Sequence, residues 1–367
     1  YLFSRFPGEA WRTQRETRRL LERYFTVEPD GIPGNDDTGT MSAWAVFTML
    51  GFYPDCPGEA AYTLTAPTFD RAEIDTPQGT LTIEKHGEGY IRRMTLGGRP
   101  LSKYRLTHDE LLRGGTLTFE LNNETNKLQM NLSRIFLIAA LGLASCAQPA
   151  ADDNLTRYVD PRIGTGGHGH VFVGANVPFG LVQLGPTSIP QAWDWTSGYH
   201  ESDSTVIGFS HTHLSGTGIG DLFDVTVMPV VGEVTCARGT EEDPASGLWS
   251  YADRTKEVVR PGYYSVPLVR YGITAEMTAT SRVGFHRYTF PAADDAAVIF
   301  DLENGGCWDK ATETHIEPSG DSRLVGWRYS TGWAKDQRVW FVAEFSRPFT
   351  SFEQVGEHYA RVNFATA

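Results

Sequence analysis

The 367-residue sequence is short of cysteine, short of positive charge and short of long apolar runs. Its four cysteines, Cys56, Cys146, Cys236 and Cys307, stand far apart with no C-x-x-C pair, which excludes both a zinc-type cluster and a disulfide framework. Lys and Arg number 32 against 45 Asp and Glu, for a formal charge of -13. The chain therefore lacks the basic face that a nucleic acid or an anionic membrane surface would need. No apolar run is long enough to span a bilayer as a helix, and no internal repeat is present. What remains is ordinary globular composition, 40% hydrophobic and 21% charged, in a chain long enough for two domains. Nine Trp and fifteen Tyr in a Gly-rich sequence suit sugar recognition, because flat rings pack on the apolar faces of pyranoses. Most buried aromatics only fill a core, so that signal is weak on its own.

The sharpest boundary is a short apolar run, Ile135 to Leu143, in the middle of the chain. Met130 and Arg134 precede it, and Leu143-Ala144-Ser145-Cys146 closes it. A basic start, a short apolar middle and small residues at the end describe a secretory signal, and the Leu-Ala-Ser-Cys ending resembles a bacterial lipobox. Cys146 is then expected to be the lipidated first residue of a mature periplasmic or outer-membrane lipoprotein, with no other membrane attachment. A signal belongs at the start of a chain. Residues 1–129 are therefore expected to be the tail of one gene product, with Met130 beginning another. The alternative is a core helix that happens to end in cysteine.

Before that boundary, Glu9 to Phe25 reads as a helix with Trp11, Leu20, Leu21, Tyr24 and Phe25 as its apolar positions. A loop rich in Gly, Pro and Asp follows over Glu28 to Thr40. A second helix covers Met41 to Leu50, closed by Gly51. Strands are expected at Thr80–Ile83, Tyr90–Leu96 and Thr116–Leu121, with turns at Gly97-Gly98 and Gly114-Gly115. After the boundary the pattern is almost entirely strand, for example Val225–Val231, Tyr263–Tyr271, Ala296–Leu302 and Val339–Phe345. The expected fold is mainly β, a β-sandwich with a short helical segment.

Three constellations could carry chemistry. In Gly31-Ile32-Pro33-Gly34-Asn35-Asp36-Asp37-Thr38-Gly39, two adjacent carboxylates sit on a glycine-fixed loop. Like charges that close repel unless a cation or donors compensate, and a calcium ion with its several oxygen ligands would do so. Alternatively Asp37 or Thr38 caps the following helix while Asp36 is solvated. The glycine-rich stretch Ile163 to His170 lacks both the spacing and the βαβ setting of a nucleotide loop. The third runs from Trp193-Asp194-Trp195 to His200 and on through His211 and His213. Those last two histidines, two apart on an extended segment, could ligate zinc or simply be hydrogen-bonded.

The stretch "GIPGNDDTGTMSAWAVFTMLGFYPDCPG" (31–58) resembles the end of the helical barrel of glycoside hydrolase family 92 α-mannosidases, and "LTHDELLRGGTLTFEL" (106–121) resembles their closing β segment. "YVDPRIGTGGHGH", "WDWTSGYHESDSTVIGFSHTHLSGTGIGDL" and "RPGYYSV" resemble the family's N-terminal β-sandwich domain. The resemblance implies residues 1–58 as the end of an (α/α)6 barrel and 59–129 as a C-terminal β segment. It further implies 130–146 as the signal-like segment and 147–367 as a supersandwich-like domain. The C-terminal part thus precedes the N-terminal one.

The same resemblance implies calcium-dependent, inverting removal of terminal mannose from α-mannoside glycans. Asp36 or Asp37 would be the base, and Trp193 or Trp195, with Asp194 and His200 beside them, would line the leaving-sugar pocket. Thr196 stands where the family often has Cys. The family's acid, a glutamate of the barrel, matches no residue here, and calcium ligands are not assignable, so the chain is expected to be inactive alone. A non-catalytic carbohydrate-binding sandwich and a sandwich-plus-barrel glycoside phosphorylase are the alternatives.

Overall fold

The computed structural model describes residues 1–123, 154–189, 192–243 and 246–365. The signal-like run and Cys146 lie outside the described residues. Contacts divide the chain into two compact units. One comprises Tyr1–Phe25 and Thr40–Ala151, the other Thr26–Gly39 and Asp152–Ala367. The acidic loop between the two helices thus groups with the second unit. No helix among the described residues is long and apolar enough to cross a membrane.

In the first unit, helices Ala10–Tyr24 and Thr40–Leu50 precede two sheets. The second helix ends where expected, at Gly51 with φ +93°, whose N–H donates to the Phe47 carbonyl. The first helix differs from its expected face. Ala10, Thr13, Gln14 and Thr17 are buried, whereas Trp11, Leu20 and Leu21 are only half-buried and Tyr24 is exposed. These polar residues tolerate burial because each is bonded. Gln14 accepts from the Ile91 N–H at 2.7 Å, and the Thr17 hydroxyl bonds the Thr13 carbonyl at 2.9 Å.

The larger sheet of this unit has five strands in the order Arg71–Thr76, Gly79–His86, Gly115–Asn122, Tyr90–Leu96 and Arg99–Pro100. Its one parallel pair is Gly79–His86 with Gly115–Asn122, and the short helix His108–Arg113 leads into the second of these strands. That helix opens on a capping box between Thr107 and Glu110 and is closed by Gly114 at φ +72°. Leu81, Ile83, Met94, Leu117 and Phe119 fill the core beneath.

The second unit is a β-sandwich whose middle layer is covered twice. Seven strands pair in the order Ser351–Val355, Tyr359–Phe364, Ala296–Asp301, Thr226–Val231, Gly208–Ser210, Gln183–Thr187 and Ala175–Asn176. A four-stranded antiparallel sheet (residues 258–289) packs on one face of this layer and a three-stranded sheet (residues 310–344) on the other. Met228, Val230, Ala297 and Ile299 point into the first core, while Val227, Val298 and Phe300 point into the second. That is why Ala296 to Phe300 reads as an unbroken apolar run, every position being buried. The fold is mainly β, as the sequence implied.

Candidate active site

The glycine-rich stretch before His170 is the bed on which the acidic loop lies. The Gly164 and Gly166 N–H groups both donate to the Pro29 carbonyl at 2.9 Å. A side chain at Gly164 would strike Ile32, which is buried. Further along, the Asp36 N–H donates to Gly169 O at 3.2 Å and the Asp37 N–H to Gly216 O at 2.5 Å. Gly216 in turn donates to His170 O at 2.7 Å. Gly216 has φ +73°, and a Cβ there would come within 2.9 Å of the Asp36 Cβ, so only glycine fits. These backbone bonds hold Asp37 and Thr38 in the left-handed region, at φ +51° and +57°. Asp36 is buried, at 7% exposure, rather than solvated, while Asp37 is exposed.

His170 joins the loop to the tryptophan segment. Its side chain is fully buried. Nδ1 lies 2.6 Å from Asn35 Oδ1, and Nε2 lies 3.2 Å from Asp194 Oδ1, which also takes His168 Nδ1 at 2.7 Å. The His170 ring meets Trp193 edge to face, with centroids 4.4 Å apart. Burial pushes the His170 imidazole below the usual histidine range, and the neighbouring Asp194 offsets this only in part. Trp193 is 49% exposed, and its indole N–H is anchored on Gly218 O at 3.1 Å. A Cβ at Gly218 would overlap the indole, so glycine makes room for the ring.

Trp195 faces elsewhere in the same unit. It stacks on His200 with centroids 4.5 Å apart, and its N–H donates to Asp203 at 2.7 Å. His200 reaches back to the Gly167 carbonyl at 3.3 Å. Asp36, Asp37, Trp193 and Asp194 are thus brought together through His170, with Trp195 and His200 forming a second stacked pair. His168, His170 and Asn35 were missed as candidates; the only signal was their place inside the motifs.

His211 and His213 do not converge on a metal. His211 Nδ1 bonds Val225 O at 2.7 Å and its Nε2 faces His286 Nε2 at 3.0 Å, while His286 Nδ1 lies 2.7 Å from the Tyr288 hydroxyl. His213 bonds Gln183 O at 2.7 Å, with Phe172 and Phe223 against its ring. Burial pushes His213 down to about 4. Among the described residues no three His, Cys, Asp or Glu side chains form a metal-holding group.

Comparison with known proteins shows the family. The glycosyl hydrolase family 92 N-terminal domain matches residues 158–364, and the family 92 catalytic domain matches residues 1–123. The chain belongs to glycosyl hydrolase family 92. Its catalytic-domain portion precedes its N-terminal-domain portion.

Among solved structures, it is similar to the family GH92 alpha-mannosidase BT3965 of Bacteroides thetaiotaomicron, which has also been solved with mannoimidazole. The likeness is 35% identity and TM-score 0.54, covering 57% of this chain and 30% of that one. The GH92 family glycosyl hydrolase ccman5 is 25% identical with TM-score 0.50, over 57% of this chain and 30% of its own. An uncharacterized secreted glycosidase of Arthroderma benhamiae is 33% identical over 127 residues, 32% of this chain and 16% of that protein. The chain spans less than a third of the length of each of these relatives.

Proposed function

We propose that both family-92 portions derive from calcium-dependent, inverting exo-α-mannosidases that remove terminal mannose from N-glycans or mannans, and that this chain alone does not turn over. One observation supports the reading above others. Asn35, Asp36 and Asp37 are bonded in succession to His170, Gly169 and Gly216, beside the half-exposed Trp193. In this reading exposed Asp37 is the base that takes a proton from the attacking water, and buried Asp36 helps fix the loop. Trp193, backed by Asp194, is the wall for the leaving sugar, with Trp195 and His200 on its flank.

Inversion needs an acid and a base roughly 6.5–9.5 Å apart across one bond. No glutamate of this chain is assigned the acid role, and a misplacement of about 1 Å can cost on the order of 10²-fold. Base and wall without an acid give no hydrolysis. Calcium belongs to the reading as a property of the whole enzyme. No step of this chain's own chemistry is routed through it.

The reading also carries a secretion route, in which Cys146 is lipidated and the product resides in the periplasm or on the outer membrane. Mass spectrometry of a chain starting at Met130, expressed in a bacterium, should find a diacylated mature N-terminus at Cys146; another mature start would refute this. The activity test is the purified full chain on α-mannosides and yeast mannan, with and without millimolar calcium. No free mannose is expected. Calcium-dependent mannose release would overturn the proposal of an incomplete catalyst.

A further inference from the structure

The three-stranded sheet of the second unit, Lys310–Pro318, Arg323–Thr331 and Gln337–Glu344, turns one face inward and leaves the other open. Ile316, Leu324 and Phe341 pack into the core. The register sets His315 opposite Trp327 and Trp327 opposite Trp340, with Glu313, Tyr329 and Arg338 in the next row. Trp340 is 62% exposed and Val342, one strand position away on the same face, 54%.

These rings are held before any ligand arrives. His315 stacks on Trp327 with centroids 4.3 Å apart and planes 23° apart. The Trp327 N–H donates to Glu313 at 3.0 Å. Tyr329 meets Trp340 edge to face at 5.5 Å and carries the Arg338 guanidinium over its own ring. Fixed rings lose little freedom on binding, which is what makes a surface of this kind effective.

The charges around the platform are already spent on one another. Arg338 pairs with Asp336 and Arg323 with Glu344, while Glu317 lies 3.4 Å from the His315 ring. A charged partner gains little here, whereas a neutral polyhydroxy ligand can use the flat rings and the paired polar rim together. Size points the same way. Aromatic side chains offer about 150–250 Å² each, so the open part of this face is on the order of 300–400 Å². A stable protein partner needs about 800 Å² per side, while three strands about 5 Å apart suit one or two sugar rings.

We propose that this face is a non-catalytic glycan-binding platform for neutral hexose chains, centred on Trp340 and separate from the acidic loop. Sugar C–H groups would lie on the Trp340 and Tyr329 rings, with hydroxyls reaching Glu313 and Arg338. The choice of mannan as first probe rests on the mannosidase reading; the platform itself does not.

The test is affinity electrophoresis of the full chain in gels containing yeast mannan, galactomannan, α-glucan or β-glucan. Retardation by at least one polymer is expected. Trp340→Ala should weaken it about tenfold or more, the loss typical of a central aromatic anchor, and Trp340→Tyr should restore much of it, with unchanged thermal melts in both. Retardation by α-glucan or β-glucan, polymers that the mannosidase reading does not call for, keeps failure of that reading distinguishable from failure of this one. No retardation by any polymer, or retardation untouched by Trp340→Ala, would overturn the proposal. So would Trp340-dependent dimerisation by sedimentation without glycan binding, which would assign the face to a second copy.

Discussion

Replacing His170 by alanine should free the acidic loop without unfolding the sandwich. The substitution deletes two hydrogen bonds, to Asn35 at 2.6 Å and to Asp194 at 3.2 Å, and the edge contact with Trp193. A neutral bond contributes about 0.5–1.5 kcal/mol and one to a charged group about 1.5–3. Only the Asn35 bond ties His170 to the loop itself, so loop closure loses about 0.5–1.5 kcal/mol. At about 1.4 kcal/mol per factor of ten, opening becomes roughly 2- to 12-fold more frequent.

Amide hydrogen exchange, followed by mass spectrometry on peptides covering 33–39 and 296–301, reads both regions in one sample. Faster exchange at 33–39 with an unchanged core is expected, and Asn35→Ala combined with His170→Ala should be less than additive. Acidity should act in the same direction. Burial lowers the His170 pKa in the closed loop, so the open loop takes up the proton first. Protection should therefore be full above the ordinary histidine value near 6.5 and fall as pH drops below it. Unchanged exchange at 33–39, an equal rise in the core, or protection that strengthens on acidification would refute the clamp.

Three further outcomes follow from named contacts. In the intact parent enzyme of the first portion, Asp37→Asn should leave folding intact and lower turnover on the order of 10²–10⁴-fold, read by mannose release; near wild-type turnover would remove Asp37 as the base. His213, held down to about 4 by burial, contributes stability present above the unfolded value near 6.5 and lost as pH falls toward 4, a swing of about 3 kcal/mol. Urea midpoints at pH 7 and pH 5 should differ less in His213→Gln than in the wild type. Arg328 is fully buried between Asp224 and Asp309, so Arg328→Met should cost about 3–5 kcal/mol by leaving both carboxylates unpaired; a loss under 1 kcal/mol in urea titration would contradict that.

Much of the fold was legible because its patterns were local. The strand Tyr90–Leu96 lies where its alternation placed it, Thr116–Leu121 extends by one residue at each end, and Gly51 closes the second helix. The sequence was less informative where burial depends on distant partners. The first helix hides Thr13, Gln14 and Thr17, whose bonds reach Ile91 and Thr65, beyond what a hydrophobic period can register. At the site, the acidic loop and the Trp193 segment stood out by composition. Their linkage did not, because it runs through His170 and Asn35, which are 135 residues apart. A histidine between a glycine and a valine gives no sign of such a partner. The open face around Trp340 was hidden for a related reason, since alternation marks which residues share a face but not whether another layer covers it.

The twice-covered middle layer sets how the second unit tolerates change. From Ala296 to Phe300 every residue is apolar and buried, so no position there can take a charge without desolvating it, and none can gain a methylene without pressing on one core or the other. Along Arg323–Thr331 and Gln337–Glu344 burial alternates, so every second position is free to vary in size and polarity. Saturation mutagenesis scored by soluble yield would read this directly, as an unbroken intolerant block at 296–300 beside two stretches in which permissive and intolerant positions take turns. Neutral drift would then reshape the outer rows long before it touched the strand on which both cores are built, except where ligand binding holds a residue such as Trp340.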